Sequence, residues 1–148
     1  MYESTRIAVG LALTFDNYTD MEVVTEEVGL MPTSTLNKKD ARKNPFFGRD
    51  DAPEDWPYEG EFVCGGWDLY TEYVPTQNLE VASNELLRVI KPHIDAISST
   101  LKKYDGSARF NVVPEINPKM LPSLYLNKDF IEVANSLNAD IEIDMYML

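Results

Sequence analysis

The chain is poor in the residues on which most recognisable chemistry depends. It carries one cysteine, Cys64, and one histidine, His93, in 148 residues. A lone cysteine excludes an intramolecular disulfide and a thiolate metal cage within one chain, and it fits a reducing compartment. A lone histidine excludes a cluster of imidazole ligands, and with it the zinc-hydrolase sites built on paired histidines. The seven glycines are few and scattered, so no phosphate-cradling loop, dinucleotide fingerprint or nucleophile elbow occurs. Gly65-Gly66 is the one adjacent pair and reads as a bulge or a close backbone approach beside Trp67. Long apolar runs are also missing: none approaches the ~20 residues that cross a bilayer. The apolar run from Ile7 to Leu13 is interrupted by Gly10 and has neither a basic leader nor a small-residue cleavage site. The expectation is a cytoplasmic protein without membrane attachment.

Basic residues are scarce as well. Thirteen lysines and arginines stand against 25 acids, for a net charge of -12. That field repels phosphate backbones, which argues against nucleic acid, and attracts basic proteins or cations. On charge alone, a merely solvated surface outweighs a specific basic partner. The hydrophobic fraction, 44%, suffices for a packed core. Length and the absence of repeats point to one domain over residues 1–148.

Hydrophobic periodicity places the elements. Ile7, Val9, Leu11, Leu13 and Phe15 alternate with smaller residues, which predicts a strand whose second side would let a helix lie close. After DNYTD, Thr19 or Asp20 caps a helix with Met21, Val24, Thr25 and Val28 inward, stopped at Gly29 and Pro32. Residues 32–61 show no period and form a long irregular loop, with a basic cluster (Lys38, Lys39, Arg42, Lys43), an acidic one beginning at Asp50 and Asp51, and interleaved aromatics. A strand over residues 62–73 follows, with Trp67, Leu69 and Tyr73 toward the core and Asp68 and Glu72 outward. Leu86, Ile90, Ile94, Ile97 and Leu101 mark a helical region from Leu79 to about Tyr104, kinked or divided at Pro92. A strand from Ser107 is expected to end at Pro114. Asn127 caps a helix with Phe130, Ile131, Ala134 and Leu137 apolar, and ADIEIDMYML closes the chain as a half-buried strand. Repeatedly polar strand faces favour an α+β domain: a mainly antiparallel sheet of four or more strands with helices on one face, ferredoxin-like or a related sandwich.

Candidate chemistry is thin. Cys64 and His93 can form a nucleophile pair only if the fold brings them together, and Cys64 is expected to be buried and inert. The spacing of DDAPEDWPYEGE does not match a calcium loop, so neither a metal nor a cofactor is expected. Asp140, Glu142 and Asp144 share one side of the last strand. If that strand lies beside the tryptophan strand, Asp68 and Glu72 join them. Like charges directly opposite destabilise a sheet by tenths of a kcal/mol, roughly, a cost easier to understand if a basic partner offsets it.

Several stretches together resemble a known family. They are GLMPT after the first helix, GGWDLYTEY, NELLRVIKPHIDAI with its internal proline, and LNKDFIEVANSLNADIEIDMY. They resemble a bacterial domain of unknown function, number four-two-seven-nine, over nearly the whole chain, with Pro32-Thr33, Trp67 and Asp140 to Tyr146 as the most specific marks. The resemblance implies a compact bacterial cytosolic domain and brings no activity, cofactor or catalytic residue. Analogy of composition adds toxin-neutralising immunity proteins as a class to consider. The leading expectation is a non-enzymatic domain, monomer or homodimer, that binds a basic protein through Asp68, Glu72, Asp140, Glu142 and Asp144 with Asp50 and Asp51. The alternative is a hydrolase or small-ligand binder with a pocket between the 32–61 loop and the sheet, lined by Thr33, Trp56 and Tyr58.

Overall fold

A computed structural model describes residues 3–17, 19–38 and 64–148. Asp50, Asp51, Trp56 and Tyr58 lie outside the described residues. In chain order the elements are strand β1 (Arg6–Phe15), helix α1 (Met21–Val28), strands β2 (Ser34–Leu36) and β3 (Gly65–Tyr70), helix α2 (Leu79–Ile90), a 3-10 turn at Lys91–His93, helix α3 (Ile94–Lys103), strand β4 (Gly106–Ile116), helix α4 (Lys128–Ser136) and strands β5 (Asp140–Ile143) and β6 (Tyr146–Met147). The sheet runs in the order β2-β3-β1-β4-β5, with β6 also on β4. The pairs β2–β3, β3–β1 and β1–β4 are antiparallel, whereas β5 and β6 run parallel to β4. The fold is α+β, a mostly antiparallel sheet with its helices on one face.

β1 lies at the centre and has two unlike sides. Ile7, Val9, Leu11, Leu13 and Phe15 are fully buried. They form one core with Met21, Val24 and Val28 of α1, Leu86 and Ile90 of α2, Ile97 of α3, Phe110 and Val112 of β4, and Phe130 of α4. Trp67 joins this core at full burial. Its indole N–H donates to Thr25 Oγ1 at 3.1 Å, and the threonine hydroxyl donates in turn to Met21 O at 2.9 Å. The indole therefore keeps its hydrogen bond while burying its rings. Truncating such a side chain to alanine costs about 3–5 kcal/mol.

The helix boundaries follow local chemistry. The Asp20 carboxylate accepts from Glu22 N, and Gly29 ends α1 at φ 79, a conformation that costs other residues a Cβ clash. Asn127 accepts from Phe130 N at the start of α4. Pro92 divides the long helical stretch: α2 stops, one 3-10 turn intervenes, and α3 restarts.

Several expectations need correction. Among the described residues no helix lies on the small-residue side of β1. Tyr70 of β3 occupies it, so close that a Cβ on Gly10 would stand 2.3 Å from Tyr70 Cδ1. The Gly65-Gly66 pair forms no bulge, sitting in regular register opposite Phe15 and Thr14, but Gly65 does make a close backbone approach, since a Cβ there would stand 3.3 Å from Leu36 O. The bulge falls after Tyr70: Gly10 pairs with Tyr70, but Ile7 pairs with Val74, which leaves one extra residue on the β3 side. Thr71 fills the irregular place, its N–H donating to Val9 O and its hydroxyl accepting from Val9 N. The extra residue reverses the alternation. Val74 packs against the core, while Tyr73 is exposed with the Arg6 guanidinium 4.7 Å above its ring. β4 continues through Pro114, which stands opposite Ile7. Ile7 directs both backbone groups to Val74, so the proline nitrogen points away from β1, toward the break between β5 and β6. In α4 it is Val133, not Ile131, that is buried. The last segment is two short strands, with Met145 and Met147 exposed.

A side chain at position 10 must displace the Tyr70 ring. Gly10→Ala is expected to lower unfolding free energy by about 1–3 kcal/mol in a denaturant titration. The added penalty should shrink in a Tyr70→Ala background, because the two groups compete for one space.

Candidate functional site

The sheet face opposite the helices carries the polar side chains that the strand registers bring together. One row crosses five strands: Ser34 of β2, Asp68 of β3, Ala12 of β1, Arg109 of β4 and Asp140 of β5. The next row holds Tyr70, Gly10, Asn111 and Glu142. Further along lie Arg6, Glu115 and Tyr146. Because Ala12 and Gly10 are small, the centre is low. Tyr70 lies across Gly10, and its hydroxyl accepts from Asn111 Nδ2 at 2.6 Å, which ties β3 to β4 over the top of β1. Beside it Ala12 and Thr14 floor a depression of about 360 Å³, rimmed by Ser107, Arg109 and Asp140.

The charges are interleaved. Arg109 Nη1 donates to Glu142 Oε2 at 2.7 Å, and Arg6 Nε to Glu115 Oε2 at 2.5 Å. The Glu115 carboxylate holds the Arg6 guanidinium more firmly protonated than usual. Asp144 accepts from the Tyr146 hydroxyl at 2.7 Å, a bond that raises the phenol pKa. Tyr73 is raised too, first by partial burial and then by Glu115. Asp140 is exposed and makes no ion pair among the described residues. Asp68 is half-buried, and burial pushes its carboxyl above the ordinary value; the Ser34 hydroxyl, 3.5 Å away, opposes that weakly.

The predicted acids therefore divide. Asp68, Asp140, Glu142 and Asp144 belong to the helix-free side, but β5 does not lie beside the tryptophan strand: β1 and β4 separate them. Arg109 and Asn111 stand between the acids of β3 and those of β5, so the opposed like charges anticipated from the sequence do not arise. Glu72, beyond the bulge, lines a groove with Val81 and Glu85 of α2. Sequence reasoning missed Arg109, Asn111 and Tyr70. Their signal was present, since β4 alternates Arg109, Asn111 and Val113 against a buried side, but which strands flank it was not readable. The apolar groove lies between the edge of β3 and α2, and Thr33, expected to line a pocket, instead hydrogen-bonds β3 through Tyr70 N at 2.9 Å.

His93 Nδ1 lies 3.1 Å from Val28 O at the end of α1, and Cys64 is half-buried rather than fully buried. Among the described residues no group of three or more histidines, cysteines or acids is placed to hold a metal ion. No described helix is long and apolar enough to cross a membrane.

What fold and surface define is a two-layer α+β domain with a charge-bearing sheet face that no described helix covers. The chain belongs to the family described as a domain of unknown function (DUF4279), whose model matches residues 5–148. No curated protein and no solved structure matches it.

Asp68 gives a pH test. Its carboxyl holds a proton more tightly in the folded chain than the ordinary 3.8 of a free side chain. Ionised Asp68 therefore subtracts from stability above the folded pKa, and the penalty fades as pH falls toward the unfolded value. Asp68→Asn should raise the melting temperature at neutral pH, with the gain disappearing below the unfolded pKa. Melting curves across acid pH measure it.

Proposed function

We propose that this protein is a non-enzymatic binding domain that recognises a basic protein with the helix-free face of its sheet. The observation that carries the reading is the pattern of pairing there. Each arginine of the face is matched to a glutamate, and Asp68, Asp140 and Asp144 remain without a cation among the described residues. Asp68 is held where ionisation is disfavoured, a position that stability alone does not explain. A lysine or arginine entering the depression beside Asp140 would meet a carboxylate that no described cation pairs, with Arg109 on the same rim already engaged by Glu142, and a floor of small residues that admits a long side chain. The interleaved arginines would set register, since a partner must place its own charges to match. A basic toxin neutralised by a cytoplasmic, bacterial immunity-type domain is one partner of this chemistry.

Charge reversal tests the reading. Asp140 and Asp144 are exposed and paired to no arginine, so Asp140→Lys with Asp144→Lys should leave the fold intact. Affinity capture with the parent chain at about 50 mM salt should recover basic proteins that are lost at about 500 mM, where charges are screened beyond a few ångströms. The double variant should bind them about tenfold more weakly, chiefly through a slower association rate. Recovery of acidic partners only, or of none at either salt, overturns the proposal.

A further inference from the structure

The chain just past the end of β3, which β2 does not reach, adjoins an apolar groove. β2 pairs with β3 only from Gly66 to Asp68, and Thr33 then caps the edge as far as Tyr70. Beyond the bulge the backbone groups of Glu72 and Tyr73 make no hydrogen bond among the described residues. Directly against this edge, β3 and α2 enclose a groove of about 350 Å³. Leu69, Val74 and Leu86 make its floor, and Val81 and Val89 form its helical wall, 47% and 37% exposed. Two carboxylates flank the apolar surface: Glu72 from the strand and Glu85 from the helix, midway between the two valines. Glu72 has no ion pair among the described residues, and Glu85 has only an exposed contact to Arg88 at 3.6 Å.

We infer that this groove takes an extended segment of the partner, added along the unpaired backbone at Glu72 and Tyr73 just past β3, with an apolar side chain in the groove and basic residues two positions to either side of it, on the same face of the added strand. Three observations choose this occupant. Unpaired edge backbone is a template for another strand. An apolar hollow of this size accommodates one large side chain. The rim is acidic on both flanks, so an apolar anchor between lysines or arginines is complementary to it, whereas a second copy of this chain, at net charge -12, would bring repulsion. The site is also continuous with the helix-free face: Tyr70 lines the groove and reaches Asn111 across Gly10. The inference rests on the basic-partner reading and adds the anchor to it. The sheet face steers; the groove holds.

The probe is a blocked heptapeptide with a central leucine, lysines two positions to either side of it and threonine elsewhere, titrated into isotopically labelled protein with the amide resonances followed one by one. Binding should shift amides of Leu69–Val74 and Val81–Val89. The same peptide methylated on its edge-facing amide nitrogens should bind about tenfold more weakly, because it keeps charge and apolar side chains but cannot pair its backbone. Val89→Glu and, separately, Val81→Glu should each weaken binding about tenfold. Both positions are partly exposed, so the fold survives, as an unchanged spectrum of the free variant would verify. Glu72→Lys with Glu85→Lys should remove most of the salt dependence. The inference is overturned if the methylated peptide binds equally well, if the shifts centre on Asp140 and Asp144 instead, or if nothing binds at about millimolar peptide. Shifts at Asp140 and Asp144 that vanish in the double charge reversal would overturn the groove while leaving the basic-partner reading standing. Groove binding indifferent to that reversal, with no basic protein captured, would do the opposite.

Discussion

The structure depends on the packing of one strand with two unlike sides. β1 buries five large apolar residues against all the helices, and its other side is Ala8, Gly10, Ala12 and Thr14. Hydrophobic burial of order 25 cal/mol per Å² drives every helix to the first side. The second side offers little apolar area, so none of the described helices is held there. The smallness of those residues is nonetheless used. It lets Tyr70 lie flat over Gly10 and reach Asn111, and it leaves the depression that Asp140 and Arg109 frame.

An open sheet carrying this many acids would be self-repelling without a particular strand order. With β1 and β4 between β3 and β5, each group of carboxylates has neutral or cationic neighbours. Arg109 answers Glu142 and Arg6 answers Glu115, exposed or half-exposed pairs that solvent screens and that add little to stability. Their larger effect is on pattern: the face presents unmatched negative charge at chosen places, Asp68 and Asp140, separated by an arginine. Charge of this kind accelerates encounter and selects partners more than it creates affinity. Affinity requires buried apolar contact, and the groove between β3 and α2 supplies the apolar surface adjoining this face.

Both sides of Tyr70 thus enter the functional argument. Its ring and hydroxyl organise the open face, and its main chain stands where β2 ends and the free edge begins. The bulge after it turns Glu72 toward α2 and Tyr73 toward Arg6. Without the extra residue, Glu72 would have stayed with Asp68, and the groove would have lost one of its two flanking charges.

Properties that depend on near neighbours along the chain were legible in the sequence. The alternation of β1, the stripe of α2 and α3 with its break at Pro92, the caps at Asp20 and Asn127, and the burial of Trp67 follow from periods of 2 and 3.6 and from backbone chemistry local to a few residues. So was the acidity of the final strand. Tertiary structure decided what depends on which strands become neighbours. A period of 2 assigns each residue to a side, but one unpaired residue in a ladder inverts every assignment after it, and no local signal marked Thr71 as that place. Pro114 could continue a strand only because the missing donor points to a gap between two other strands. The acids of β3 and β5 were kept apart, and Glu142 was matched with Arg109, by a strand order that no segment encodes by itself, since pairing is settled by the total burial of all elements at once.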